Sequence, residues 1–190
     1  MDDGALSLPP AVCLALCQAL PRAPGLDEAM HILNGVRQQL LGEGLLTVNI
    51  DATPGGSDAD GETIELQRLW TSNPQAYPIA GRKRKAMTPW TRQLLQRGEV
   101  FVGEGGAALA EVFDDHARIA VLGLQAVVNV PLLDEAGACV ATFNVLGTRP
   151  RWLPRELMLV RLLAVVATPW VLRVRSRVVL ELAAVAHSSG

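Results

Sequence analysis

The chain has 190 residues, 49% of them hydrophobic, which is enough for one domain with a sizeable core. Its net charge of -2 at pH 7 favours neither nucleic acid nor an anionic membrane surface as a partner. The three cysteines, Cys13, Cys17 and Cys139, are an odd number without paired spacing, which argues against a secreted disulfide framework.

The Met-Asp-Asp-Gly start lacks the positive segment of a signal peptide. Ser7, Pro9 and Pro10 suit the start of a first helix running to about Leu20. Cys13 and Cys17 lie four apart on one face of it, where they read as small buried hydrophobes, since no further zinc ligands are in view. Residues 1–25 form this helix and a linker broken by Pro21–Gly25. A second helix is predicted over Leu26–Leu41 from apolar residues at 26, 30, 33, 36 and 40. Asp27 and Glu28 stand in its first turn and Gly42 ends it.

Leu45–Ile50 and Thr63–Ser72 read as strands of a hairpin whose long connection holds the polar turn Pro54–Gly61. Asn73–Thr88 follows as a proline-, glycine- and cation-rich loop, unusually long for a bare connection. Thr88-Pro89 opens a short helix from Trp90 to Arg97. Glu99–Val102 is a short strand, and helical stretches follow to Val112 and over Asp114–Leu122, with Asp114 as the cap of the latter. Gln125–Leu132 and Ala138–Leu146 form a hairpin across Asp134–Gly137. A long last helix begins at Pro154. Its apolar window Leu157–Leu172 contains Arg161 and Pro169, which should kink it, and falls short of the roughly 20 residues of a bilayer span.

The order predicts an α+β fold, a two-layer sandwich with an antiparallel sheet. Both terminal helices cover one face and residues 73–123 roof the other, leaving room for a ligand cavity. If residue 129 pairs with 142 in the last hairpin, Asn129, Thr142 and Asn144 share one face with Val127, Pro131 and Val140. Val128, Val130, Leu132, Cys139, Ala141, Phe143 and Val145 make an apolar face for the helices. Buried amides need partners; a polar ligand or neighbouring backbone would supply them. Trp70 and Trp90 bracket the long loop as possible pocket walls, Tyr77 as a cap. Arg82–Lys85 reads as a solvated loop or as a lid for an anion. Asp114-Asp115-His116 cannot build a catalytic or metal site from adjacency alone.

The segments Arg68-Leu-Trp-Thr-Ser-Asn-Pro74, Tyr77-Pro78, Gly81-Arg-Lys83 and Thr88-Pro-Trp90 come first. With Phe113-Asp-Asp-His116, Leu122-Gly-Leu124, Asn129-Val-Pro131, Gly137 and Thr142-Phe-Asn144, they resemble the GAF family of small-molecule sensor domains over about residues 26–175. The resemblance implies five or six antiparallel strands and often a homodimer built by the terminal helices, with residues 176–190 as helix end and tail. With the strand parity above, the expected pocket draws on Arg68, Trp70, Ser72, Tyr77, Lys83, Trp90, His116, Asn129, Thr142 and Asn144. The cyclic-nucleotide signature of the family is missing, and residues 73–123 contain no cysteine to attach a bilin. No cofactor or metal is therefore expected. The expectation is a cytoplasmic, stand-alone sensor of a small polar or anionic metabolite, not an enzyme, acting through dimer helices or a partner. Two alternatives remain open: an enzyme of the free methionine-R-sulfoxide reductase type, and an interaction module with a collapsed cavity.

Overall fold

A computed structural model describes residues 8–53, 63–79 and 81–188, with side chains described to residue 176. Ser7 and the Pro54–Gly61 turn lie outside the described residues. Helix α1 (Pro10–Leu14) continues through a wider turn at Ala15–Ala19 and a tighter one at Leu20–Arg22. It docks on the core through Val12 and Leu20. Cys13 and Cys17 are exposed, contrary to expectation, because that docking side turns them to solvent. Helix α2 (Leu26–Leu41) has the expected bounds, and Gly42 ends it at φ 80°, donating its N–H to Gln38 O.

Among the described residues six strands follow: β1 (Gly44–Asp51), β2 (Thr63–Thr71), β3 (Arg82–Ala86), β4 (Phe101–Glu104), β5 (Ala126–Leu133) and β6 (Cys139–Gly147). They form one antiparallel sheet in the order β3-β2-β1-β6-β5-β4. Between β3 and β4 lies α3 (Pro89–Thr91), capped by Thr88 Oγ1, which accepts from Thr91 N–H, and extended by a turn at Arg92–Gln96. Helices α4 (Gly105–Val112) and α5 (His116–Val121) separate β4 from β5. Helix α6 (Pro154–Ser188) closes the chain and runs on through Pro169.

Three local readings are corrected. The cation run forms edge strand β3 rather than a loop or lid. With every residue from Arg82 to Lys85 charged, no hydrophobic alternation could reveal the strand, yet such residues suit an edge that must not recruit another chain. Strand β4 starts two residues late because Glu99 N–H closes the turn at Gly98 by donating to Gln93 O. Asp114 does not cap α5. That helix starts at His116, behind Asp115, with no side-chain cap.

The last hairpin turns at Asp134, whose Oδ1 accepts the N–H groups of Ala136 and Ala138, both at 3.0 Å. Asn129 faces Asn144, not Thr142, a register two residues from the expected one. Side chains alternate with period two, so a two-residue slip leaves the faces unchanged. Val128, Val130, Leu132, Ala141, Phe143 and Val145 pack in the core that holds Met30 and Leu33 of α2 and Val160, Leu163 and Ala167 of α6. Cys139 is the exception. The register shifts between Leu132 and Leu133, Cys139 pairs with Leu133, and it packs with Leu66, Trp90 and Leu94 on the opposite face.

By length and composition alone, Pro154–Ser176 of α6 is enough to cross a membrane. Its Val160, Leu163, Ala164, Ala167 and Val171 side packs on the sheet and α2, while Met158, Leu162 and Val165 are exposed.

Candidate functional site

The sheet face turned away from α2 and α6 carries a cavity of about 90 Å³. Leu45, Thr47 and Asn49 of β1 floor it together with Asn129 of β5 and Asn144 and Leu146 of β6. Leu66 and Arg68 of β2 and Lys83 and Lys85 of β3 line one wall. Tyr77, Trp90, Phe113 and Asp115 come from the connecting segments. Residues 83 and 85 share the face of their partners Leu66 and Ile64, whereas Arg82 points away and pairs with Glu65 at 3.0 Å.

The floor is a closed chain of hydrogen bonds. Trp90 Nε1–H donates to Asn129 Oδ1 at 3.0 Å, and Asn129 Nδ2 donates to Asn144 Oδ1 at 2.7 Å. Asn144 Nδ2 donates in turn to Thr142 Oγ1 at 3.1 Å and Thr47 Oγ1 at 3.3 Å. The two amides thus find partners in side chains of the sheet and α3, without loop backbone and without a ligand. Trp90 also meets Phe113 edge-to-face at 5.9 Å, which holds the roof over the floor.

The β2–β3 wall is cationic. Among the described lining residues, Arg68, Lys83 and Lys85 stand against one carboxylate, Asp115, a surplus of positive charge. Lys83 Nζ lies 3.4 Å from Asp115 Oδ2, and Lys85 Nζ lies 2.6 Å from Asp114 Oδ2. The Lys85 hydrogen bond and charge hold the Asp114 carboxyl below its usual range. Arg68 Nη1 donates to Pro78 O at 3.0 Å, and its guanidinium lies 5.0 Å from the Tyr77 ring centre. Burial lowers its pKa, opposed by the charge of Asp115. Tyr77 is only 5% exposed. Burial first, then the negative charge of Asp115 and contact with it, push its hydroxyl up to about 12. No well-formed hydrogen bond reaches that hydroxyl, and Arg68 Nε is likewise buried without a partner. Arg68 Nε is thus a donor short of an acceptor among the described residues, and the Tyr77 hydroxyl has only its loose contact with Asp115.

Of the residues expected at the pocket, Arg68, Tyr77, Lys83, Trp90, Asn129 and Asn144 line it. Four others stand elsewhere. Trp70 lies in the helix-side core, donates Nε1–H to Asp27 Oδ1 at 2.9 Å and meets His31 edge-on. The cause is a bulge in β2: Asn49 pairs with Arg68 but Val48 with Trp70, so Leu69 is the extra residue and two positions of equal parity face opposite ways. Ser72, just past the strand, accepts Leu46 N–H at 3.0 Å. His116 is exposed, with Nδ1 3.1 Å from Phe113 O. Thr142 lies beneath the floor, 1% exposed, as a support for Asn144. The lining residues missed are Thr47, Asn49, Lys85 and Asp115 with their apolar neighbours. The alternation Leu45-Leu-Thr-Val-Asn-Ile50 carries the signal for the first two; Asp115 had none.

No family model matches the sequence, and no curated protein does. Solved structures do. The GAF domain of a phosphoenolpyruvate-protein phosphotransferase from Coxiella burnetii superposes with a TM-score of 0.63 at 12% identity, over 88% of this chain and 94% of that one. The GAF domain of a two-component sensor histidine kinase from Bacillus halodurans gives 0.56 at 15% identity, over 80% and 99%. The chain has a GAF-like fold. The chromophore-binding domain of a bacteriophytochrome from R. palustris gives 0.57 at 14% identity, over 88% of this chain and 60% of that one. At these identities the likeness is one of GAF-like architecture, and the chemistry of the site must be argued from its own residues.

Proposed function

We propose that this GAF-like domain is a sensor that binds a small anionic metabolite in the cavity on its sheet. The observation that carries the reading is the wall of Arg68, Lys83 and Lys85 against one carboxylate, Asp115, among the described lining residues. The Arg68 Nε donor, buried without a partner among the described residues, and the Tyr77 hydroxyl, held only by a loose contact with Asp115, add to it. An anion satisfies both the charge and the donors. The cysteine chemistry opposes a reductase. Burial pushes the Cys139 thiol up to about 12, away from a reactive thiolate, and Cys13 on α1 and Cys17 in the turn after it lie outside the cavity lining.

The test is native mass spectrometry of freshly purified protein, then calorimetric titration with small carboxylates, inorganic phosphate and uncharged amides of similar size. An anion is expected to bind, more weakly as salt rises. Arg68→Met should weaken it about tenfold or more. An uncharged compound that binds equally well to the wild type and to Arg68→Met would refute the reading.

The output is proposed to run through a dimer of α6. Met158, Leu162 and Val165 are 62%, 38% and 67% exposed, and Pro169 and Leu172 continue the same alternation of four- and three-residue steps. That alternation is the seam of a two-helix coiled coil, and it supports a second copy of α6 as the partner. Sedimentation should show a dimer for the wild type and a monomer for Val165→Glu; a wild-type monomer at micromolar concentration would refute it.

A further inference from the structure

The two acids that precede α5 behave differently. Asp114 is 83% exposed and pairs with Lys85 at the rim. Asp115 is 22% exposed, turns into the cavity and lies 3.4 Å from Lys83 Nζ. Its charge also reaches Arg68 and Tyr77. It thus stands among three of the groups that an incoming anion would use. Yet it leaves Arg68 Nε and the Tyr77 hydroxyl without well-formed hydrogen bonds. Asp115 meets the charge requirement of the wall but only part of its hydrogen-bonding requirement, a loose contact with Tyr77 and none with Arg68 Nε.

We infer that the cavity takes a small carboxylate, and that Asp115 holds the ligand's anion position until the ligand's own carboxylate displaces it. This rests on the anion-pocket reading above and specifies its ligand class and its switch. A free carboxylate has two oxygens and no tether. One accepts from Arg68 Nε and the other from the Tyr77 hydroxyl, while Lys83 supplies the charge. The Arg68 guanidinium is already held in place for this, because Nη1 donates to Pro78 O and Cζ lies over the Tyr77 ring. A cavity of about 90 Å³ has room for about three water-sized groups, and the vacated Asp115 carboxylate adds its own volume, so a ligand of about two to four carbons fits.

Displacement also transmits occupancy. Asp115 ties the α4–α5 connection to β3 through Lys83. Arg118 of α5 donates to Ala76 O at 2.9 Å and lies over the other contact surface of the pocket, the Tyr77 ring, at 5.8 Å. Release of Asp115 removes one tether of this segment and leaves the Lys85–Asp114 pair as the second.

The experiment is calorimetric titration of the full chain with sodium malonate, inorganic phosphate and malonamide. It compares the wild type with Asp115→Asn, Asp114→Asn and Lys83→Met. A tethered carboxylate competes with the ligand at a high effective concentration, so removing its charge should tighten malonate binding about tenfold. Asp114→Asn should change it less than about twofold, and Lys83→Met should weaken it about tenfold. Malonamide should not bind. Asp115→Ser replaces Asp115→Asn should the latter fail to fold. Malonate binding to Asp115→Asn that equals or falls below the wild type overturns the exchange while leaving the anion pocket standing. Phosphate binding tighter than malonate overturns the carboxylate class. Failure of every anion to bind any variant overturns the pocket reading as well.

Discussion

On one side of the sheet, Phe143, Val128 and Val48 are wholly buried among Met30, Leu33, Val160 and Leu163, and these seven side chains carry no hydrogen-bonding group to satisfy. On the other side Asn129, Thr142 and Asn144 are almost as deeply buried, at 2%, 1% and 5% exposure, but every contact has to be paired. The first face holds together through non-directional burial and close packing. The second holds together through a directed chain from Trp90 to Thr47 and, beyond it, a wall of cations. Equal burial therefore hides unequal tolerance. The apolar face is set up to lose stability in proportion to volume removed. The polar face is set up to lose it by orphaning a partner, and only its cationic wall retains donors to offer a ligand.

The contrast can be broken by substitution. Phe143→Ala on the apolar face should cost about 3–5 kcal/mol in urea unfolding, from lost transfer energy and the cavity left behind. A loss below about 1 kcal/mol would mean that this face is not the main core. Asn129→Ala should cost about 1–3 kcal/mol, because it orphans the Trp90 N–H and the Asn144 carbonyl. The double variant Asn129→Ala with Trp90→Phe should cost less than the sum of the singles, since the orphaned donor is gone. Strict additivity would deny the network.

The smallest expected effect concerns the wall and depends on pH. The Tyr77 hydroxyl is raised to about 12, so the unfolded chain, with an ordinary tyrosine near 10, releases its proton first. The stability it contributes is complete below pH 10 and is lost as pH rises towards 12, at most about 3 kcal/mol in all. Cys139, raised from 9.0 to about 12 chiefly by burial, adds a loss of the same sign that begins near pH 9. Tyr77→Phe should lie within about 1 kcal/mol of the wild type at pH 7 and flatten the alkaline decline above pH 10. An unchanged alkaline profile in Tyr77→Phe would show that the hydroxyl titrates normally.

Much of the fold was legible. Helix α2 showed its bounds through apolar spacing, an acidic first turn and a terminal glycine. The last hairpin announced itself by Asp134–Gly137, and its face assignment survived a register two residues from the one expected. Less of the site was legible. Asn129 and Asn144 could be placed on the cavity face from parity, but not the partners that saturate them, because Trp90 and Thr47 lie 39 and 97 residues away from the amides they meet. Trp70 and Cys139 were placed on the wrong faces because a bulge and a register shift change parity without any mark in the composition.

The sequence by itself determined the α+β class, the two-faced last hairpin and the segment that supplies the roof. It could do so because periodicity and turn chemistry act over a few residues, where neighbours along the chain are neighbours in space. Tertiary structure alone decided that the cation run is an edge strand, that Lys83 and Lys85 face inward while Arg82 faces out, and that Asp115 is the acid set against them. Those outcomes depend on which strand β3 pairs with and on which connection folds over it. Such long-range pairings bring charges together from segments that carry no local sign of one another.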